Sequence, residues 1–174
     1  MDSRIIYAVQ SIGPAWRPVA DLLSYGIGYV PMFIAFAAAL LLLRKHRIAL
    51  ELAVIFVVSA LVTLALKLVF HAPRPFMVDP AVLKYGSDSD YGLPSMHAVM
   101  SVVILGWIVV RHPKSRLLLW GSIAIIILIG LSRVYLGVHY PSQVLAGWVV
   151  GILLLYLYYI AYKRLWSPFQ KKLK

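Results

Sequence analysis

No cysteine occurs among the 174 residues, which excludes a disulfide framework and any thiolate metal site. Acidic residues are nearly as scarce, six Asp and Glu against seventeen Lys and Arg. Charged residues of both signs make up only 13% of the chain, about half the share usual in soluble domains. Such a sequence cannot clothe a water-facing surface. Also missing are an HExxH spacing, a helix face with paired histidines and a Walker glycine loop, so the common signatures of zinc hydrolases and nucleotide-binding enzymes are absent. The few acids are scattered, and a metal-independent chemistry without a cofactor is expected. The formal charge of +11 does not indicate nucleic acid, because basic binders of RNA or DNA carry their charge as stripes on a polar surface that this chain lacks.

What is abundant is apolar sequence: 62% of residues are hydrophobic and the mean hydropathy is +0.86. A membrane span needs roughly 20 apolar residues at about 1.5 Å each. Five stretches qualify, about Leu22 to Leu43, Ile48 to Phe70, Ser95 to Val110, Leu117 to Tyr135 and Pro141 to Tyr162. The expected fold is all-α: a polytopic membrane helix bundle of about five spans forming a single domain over residues 1–174. Residues 1–20 contain Arg4, Gly13, Pro14 and Arg17 and no long apolar core; they predict an interfacial helix with a break. The first apolar block has the length of a full span, and no small-residue cleavage pattern follows it before Arg44, so it is expected to be retained and not cleaved as a signal peptide. Neither repeats nor low-complexity segments are present.

Orientation follows from the positive-inside bias. Eleven of the seventeen Lys and Arg fall in the segments around Arg44–Arg47 and Arg111–Arg116 and in the tail after Tyr162. These are assigned to the cytoplasm, the tail 163–174 being basic enough to associate with anionic headgroups. The opposite face then carries the N-terminus, five of the six acids and the longest loop, 71–94. Glu51, the exception, is expected to pair with Arg47 one helical turn earlier.

Ionisable residues at span ends need a water-facing or functional explanation. Three clusters ask for one. KLVFHAPRP places Lys67 at the end of the second span and Arg74 beyond a helix-ending Pro73; YGLPSMH opens the third span with Ser95, Met96 and His97; SRVYLGVHYPSQ carries Arg133, then His139 in a turn before Pro141. Each has an ordinary reading taken alone. Snorkelling explains many terminal cations, a serine after proline is commonly an N-cap, and a lone interfacial histidine is more often filler than catalyst. Yet all three fall on the outer face of a topology deduced from other charges. Three cations, two histidines, a hydroxyl and the free amides of helix starts are equipment for holding a phosphoryl group.

In order and spacing, the three motifs resemble the type 2 phosphatidic acid phosphatase family: lysine with arginine-proline seven residues on, then PSGH, then SR with histidine six after the arginine. The resemblance covers Lys67 to His139. It implies that His139 is the nucleophile, that His97 protonates the leaving oxygen and later activates water, and that Lys67, Arg74, Ser95, the Met96 amide and Arg133 hold the phosphoryl oxygens. Two departures stand out. Met96 replaces the family glycine, so its side chain needs an apolar neighbour. Gln143 stands where the family has an aspartate, four residues after the nucleophile; its carbonyl can orient the ring but brings no charge. Asp79, Asp88 or Asp90 of the outer loop is a conceivable substitute for that charge.

The expected partners are the lipid bilayer and a membrane lipid phosphate. Undecaprenyl pyrophosphate, lipid A 1-phosphate, phosphatidylglycerol phosphate and phosphatidic acid belong to the substrate class the resemblance implies. The short chain fits a bacterial inner membrane with its site facing the periplasm. Phosphoryl transfer between lipids, an intramembrane serine protease built on Ser95 with Lys67 or His97, and a non-catalytic anion-binding protein are the competing readings.

Overall fold

The computed structural model describes residues 2–26, 29–86 and 90–166. All regular structure among them is helical. The chain opens with α1 (Asp2–Gln10), whose Ile6 is buried while Ile5 and Tyr7 are exposed. Gly13, at φ 96°, and Pro14 interrupt it before a 3-10 turn and the short helix α2 (Arg17–Asp21), which runs into a π turn over Leu22–Gly26. This is the expected broken N-terminal helix, but it is longer than the sequence suggested. The first apolar helix, α3 (Tyr29–Leu42), begins well after Leu22. The glycines at 26 and 28 disfavour helix continuation, and Pro31 fits only the first turn of a new helix.

Four further apolar stretches fold close to their expected bounds as α4 (His46–Phe70), α6 (Met96–Arg111), α7 (Arg116–Tyr135) and α8 (Pro141–Ala161), with the one-turn α5 (Pro75–Val78) inside the outer loop. Helices α4, α7 and α8 are long and apolar enough to cross a membrane. The α6 helix has 16 residues, about 24 Å, and is shorter than a hydrocarbon core. It is the centre of the bundle. Every residue from His97 to Leu105 is buried, as expected of a helix enclosed by α4, α7 and α8. Leu52 and Ile55 of α4 meet Met100, Ile104 and Trp107 of α6 in the main core. Met96 packs against the same cluster, which supplies the apolar neighbour its side chain requires.

Helices α6 and α8 approach closely because α8 offers glycine where they touch. A Cβ on Gly147 would stand 2.7 Å from Ala98 Cβ and 2.8 Å from the Ser95 carbonyl oxygen; one on Gly151 would stand 2.8 Å from Val102 Cβ. Small residues four apart permit such backbone approach in membrane bundles. The contact also seats the start of α6, with Ser95, against the start of α8.

One expected contact is corrected. Glu51 does not pair with Arg47, which is exposed. It is buried on the inner face of α4 and meets Arg111 of α6, Nε to Oε2 at 3.8 Å, while its carbonyl accepts from Tyr158 of α8 at 3.0 Å. A pair one turn apart lies on a helix surface, and Glu51 points inward. Of the basic tail, residues 167–174 lie outside the described residues.

Replacing Gly151 with alanine should therefore lower the thermal unfolding midpoint in detergent, by the equivalent of about 1–3 kcal/mol for overpacking. Gly121→Ala, where a Cβ meets nothing within 4 Å, should leave it unchanged or slightly raised. Equal midpoints for the two variants would contradict the close-approach role of Gly151.

Candidate functional site

The α4 helix ends when His71 turns left-handed at φ 47°, its amide bonding back to the Lys67 carbonyl. Lys67 sits one turn inside that end and is 3% exposed; Arg74, three residues after His71, is 1% exposed. Burial at this depth demands acceptors. Lys67 Nζ reaches Asp90 Oδ2 at 2.6 Å and also donates to the Tyr91 carbonyl. Arg74 spreads its donors in two directions. Nε goes to the Asp90 carbonyl at 2.6 Å and a terminal nitrogen to the Asp90 carboxylate; the other terminal nitrogen meets the Val138 carbonyl at 2.8 Å and His139 Nε2 at 3.0 Å.

The start of α6 supplies the second group. Ser95 is fully buried and takes the N-cap position, yet its side chain makes no capping bond, and its Oγ is without a hydrogen-bond partner among the described residues. Its amide instead donates to the Gln143 carbonyl at 3.1 Å, joining the starts of α6 and α8. The capping reading of Ser95 is thus set aside. His97, 8% exposed, lies edge-on to the ring of Tyr25 with centroids 6.2 Å apart.

The third group comes from the end of α7 and the turn after it. Arg133 is fully buried; it donates to the Ser24 hydroxyl, and its guanidinium lies over Tyr25, 5.4 Å from the ring centroid. Its carbonyl accepts the amides of Val138 and His139, both at 3.3 Å, which folds the turn back onto the helix end. Gly137 makes that turn possible, since its φ of 69° is strained for other residues and a Cβ there would collide with the Leu83 carbonyl oxygen. Gln10 of α1 in turn donates to the carbonyls of Leu83 at 2.7 Å and Tyr135 at 3.0 Å, and accepts from the Leu83 amide. The N-terminal segment therefore braces the loop and the histidine turn together.

Gln143 closes the arrangement. Its Oε1 accepts from the Tyr140 amide at 3.2 Å and lies 3.2 Å from His139 Nδ1, while its Nε2 donates to the Pro73 carbonyl at 2.8 Å. An acceptor at Nδ1 assigns the proton there. Nε2 then presents a lone pair, which fits its contact with an Arg74 nitrogen that can only donate. Gly92 makes room, because a Cβ there would collide with the Gln143 amide.

Hydrogen bonds and the bridging Asp90 carboxylate thus join Lys67, Arg74, His139, Gln143 and the Ser95 backbone in one continuous group, with Arg133 and His97 meeting on Tyr25. Asp90, weighed from sequence as a charge for His139, touches the cations instead. Asp79 is engaged by the Tyr7 hydroxyl and the Ala81 amide, and Asp88 lies outside the described residues. Ser24 and Tyr25 carry no signal in the sequence, since LLSYG reads as part of an apolar run. No three His, Asp or Glu among the described residues gather as metal ligands. Burial, followed by Arg74, Arg133, Lys67 and His97, holds the His139 imidazole well below its ordinary range. Nitrogen-15 spectra of the His139 ring should accordingly show no protonation as pH is lowered through 6.5. Gln143→Glu should shift the titration upward, since a carboxylate favours the imidazolium; an ordinary titration of His139 in the unaltered protein would contradict this.

Similarity to known proteins follows the same lines. The PAP2 superfamily profile matches residues 48–167. The chain is 35% identical over 132 residues to an undecaprenyl-diphosphatase of Sulfolobus acidocaldarius, covering 75% of this chain and 62% of that protein. It is 30% identical over 138 residues to phosphatidylglycerophosphatase B of Bacillus subtilis, covering 74% and 64%. The chain thus spans somewhat under two thirds of the length of these curated relatives. Two crystal structures share the fold: a transmembrane PAP2-type phosphatidylglycerolphosphate phosphatase of Bacillus subtilis, with TM-score 0.77 and 23% identity over 95% of this chain and 86% of that one, and Aquifex aeolicus LpxE, with TM-score 0.78 and 21% identity over 91% and 94%. With matching motifs, profile and fold, this integral membrane chain belongs to the PAP2 superfamily.

Proposed function

We propose that the protein is a lipid phosphatase that hydrolyses the terminal phosphate ester or diphosphate of a membrane lipid through a phosphohistidine on His139. The observation that carries this reading is the His139 ring itself, buried and neutral, its Nδ1 held by Gln143 and its Nε2 against the Arg74 guanidinium. That is a nucleophilic lone pair placed where an anion is drawn.

In the proposed reaction Nε2 attacks phosphorus as the bond to the lipid oxygen breaks. His97 gives that oxygen a proton, then takes one from the water that cleaves the nitrogen–phosphorus bond and releases inorganic phosphate. Lys67, Arg74 and Arg133 stabilise the equatorial oxygens, with the Ser95 hydroxyl and the amide of Met96 at the start of α6 as further donors. Water is the acceptor in this reading, and direct contact of cations with the phosphoryl group replaces a metal. The positive-inside count puts the site on the outer face of the membrane and the C-terminus in the cytoplasm. Undecaprenyl pyrophosphate and phosphatidylglycerol phosphate head the substrate list, by analogy with the relatives' names, followed by lipid A 1-phosphate and phosphatidic acid. The protease reading loses support because Ser95 Oγ makes no hydrogen bond to a base among the described residues.

Rapid quench of the purified protein with phosphorus-labelled lipid should leave acid-labile label on His139. His139→Ala should abolish the label and lower turnover on the order of 10³-fold or more. Retained turnover in that variant would overturn the mechanism, and a panel of the four lipids reads out the preferred carrier.

A further inference from the structure

Two of the three site cations share one counter-ion. The Asp90 carboxylate bridges Lys67 and Arg74, and the neighbouring carbonyls of Asp90 and Tyr91 take a further bond from each. The lysine and arginine side chains are 4% and 1% exposed, whereas that of Asp90 is 53% exposed. The anion thus covers the cations from the water side. Arg74 has five N–H donors, and at least four are committed to Asp90, Val138 and His139. A phosphoryl group that is to reach Arg74 and Lys67 must take the place of the carboxylate. Burial works against ionisation of Asp90, but the hydrogen bonds from Lys67 and Arg74 outweigh it and hold the carboxyl below its ordinary range. The competitor is charged at neutral pH.

Its departure is a local movement. Asp90 lies in irregular backbone, and its carbonyl can stay on Arg74 Nε while the carboxylate rotates away. Tyr91 and Gly92 are fastened independently, by the ring contact to His71 and by the Gly92 amide on the Ala72 carbonyl at 2.8 Å. What differs among ligands is the charge available to displace it. A terminal phosphate carries about −1.5 to −2 near neutral pH, whereas the diester headgroups that fill a bilayer carry only about −1.

We propose that Asp90 is a specificity-determining residue, an internal anion seated on Lys67 and Arg74 that terminal phosphates displace and phosphodiester headgroups do not. The inference rests on the lipid-phosphatase reading for its biological setting, while the competition itself is a property of the anion site. Such a threshold suits a site surrounded by a large excess of diester lipid.

The test compares the full-length protein with Asp90→Asn and Asp90→Glu in detergent micelles. Orthophosphate binding is followed by titration calorimetry, turnover with dioleoylphosphatidic acid, and inhibition with dioleoylphosphatidylglycerol. Asp90→Asn should bind orthophosphate on the order of tenfold more tightly, lower KM for the monoester, and become sensitive to the diester, which leaves the unaltered protein unaffected. Asp90→Glu keeps the charge and should retain resistance to the diester, which separates competition from a general disturbance of the loop. Weaker orthophosphate binding and a raised KM in Asp90→Asn would overturn the proposal, because Asp90 would then be arranging the cations for substrate. So would equal diester inhibition of all three proteins. Should no lipid be turned over by any form while Asp90→Asn still tightens orthophosphate, the phosphatase reading falls and the anion competition stands.

Discussion

The architecture around the site depends on the guanidinium of Arg74, a permanent charge buried to 1% exposure in a chain whose main solvent is hydrocarbon. A charge so placed is tolerated only with its donors met, since leaving one unpaired costs several kcal/mol. Satisfying Arg74 requires the carbonyl and carboxylate of Asp90 from one side and the Val138 carbonyl and His139 ring from the other. Those acceptors lie 16, 64 and 65 residues away along the chain. The arginine therefore gathers the outer loop and the turn before α8 around the end of α4. The glycines are consequences of this convergence: Gly92 admits the Gln143 amide, Gly137 bends the turn, and Gly147 and Gly151 let α8 lie close enough to α6 for Ser95 to bond its backbone.

Much of this was legible in the sequence, for identifiable reasons. Helices α4, α6, α7 and α8 begin and end within a few residues of the apolar runs, because proline, glycine and charge punctuate them sharply. The motif clusters single out Lys67, Arg74 and His139 and the family resemblance singles out Gln143; the fold joins Arg74, His139 and Gln143 by direct contacts and Lys67 to them through Asp90. What escaped depended on direction and not on composition. Helical periodicity pairs Glu51 with Arg47, yet the inward face of α4 turns it to Arg111. Ser24 and Tyr25 sit in an apolar stretch with no motif around them, and only the packing of the π turn against α7 reveals that they receive Arg133. Gln10 was part of an unassigned interfacial segment; its three bonds to the loop and to α7 give that segment a structural task.

The glutamine at 143 makes physical sense within the same geometry. Its carbonyl faces His139 and the Tyr140 amide while its amide nitrogen donates to the Pro73 carbonyl. An aspartate has no donor for that carbonyl, and its second oxygen would face another acceptor, with a cost of about 1–3 kcal/mol if the carbonyl were left unmet. Glutamine thus ties the histidine turn to the Pro73-Arg74 segment, a link that a carboxylate would not make.

With glutamine at 143, the carboxylate nearest the site cations is that of Asp90. Without a carboxylate behind the ring, burial and the nearby cations favour the neutral form of His139. In the proposed reaction the ring becomes cationic only as its nitrogen bonds to phosphorus, when the phosphoryl oxygens bring compensating charge within bonding distance. An anion arriving with the substrate then does what a fixed aspartate would otherwise do, and the cost of charging the ring falls on the bound state alone. Stabilisation of that kind acts on the transition state more than on the free enzyme, which is the condition under which binding energy accelerates a reaction.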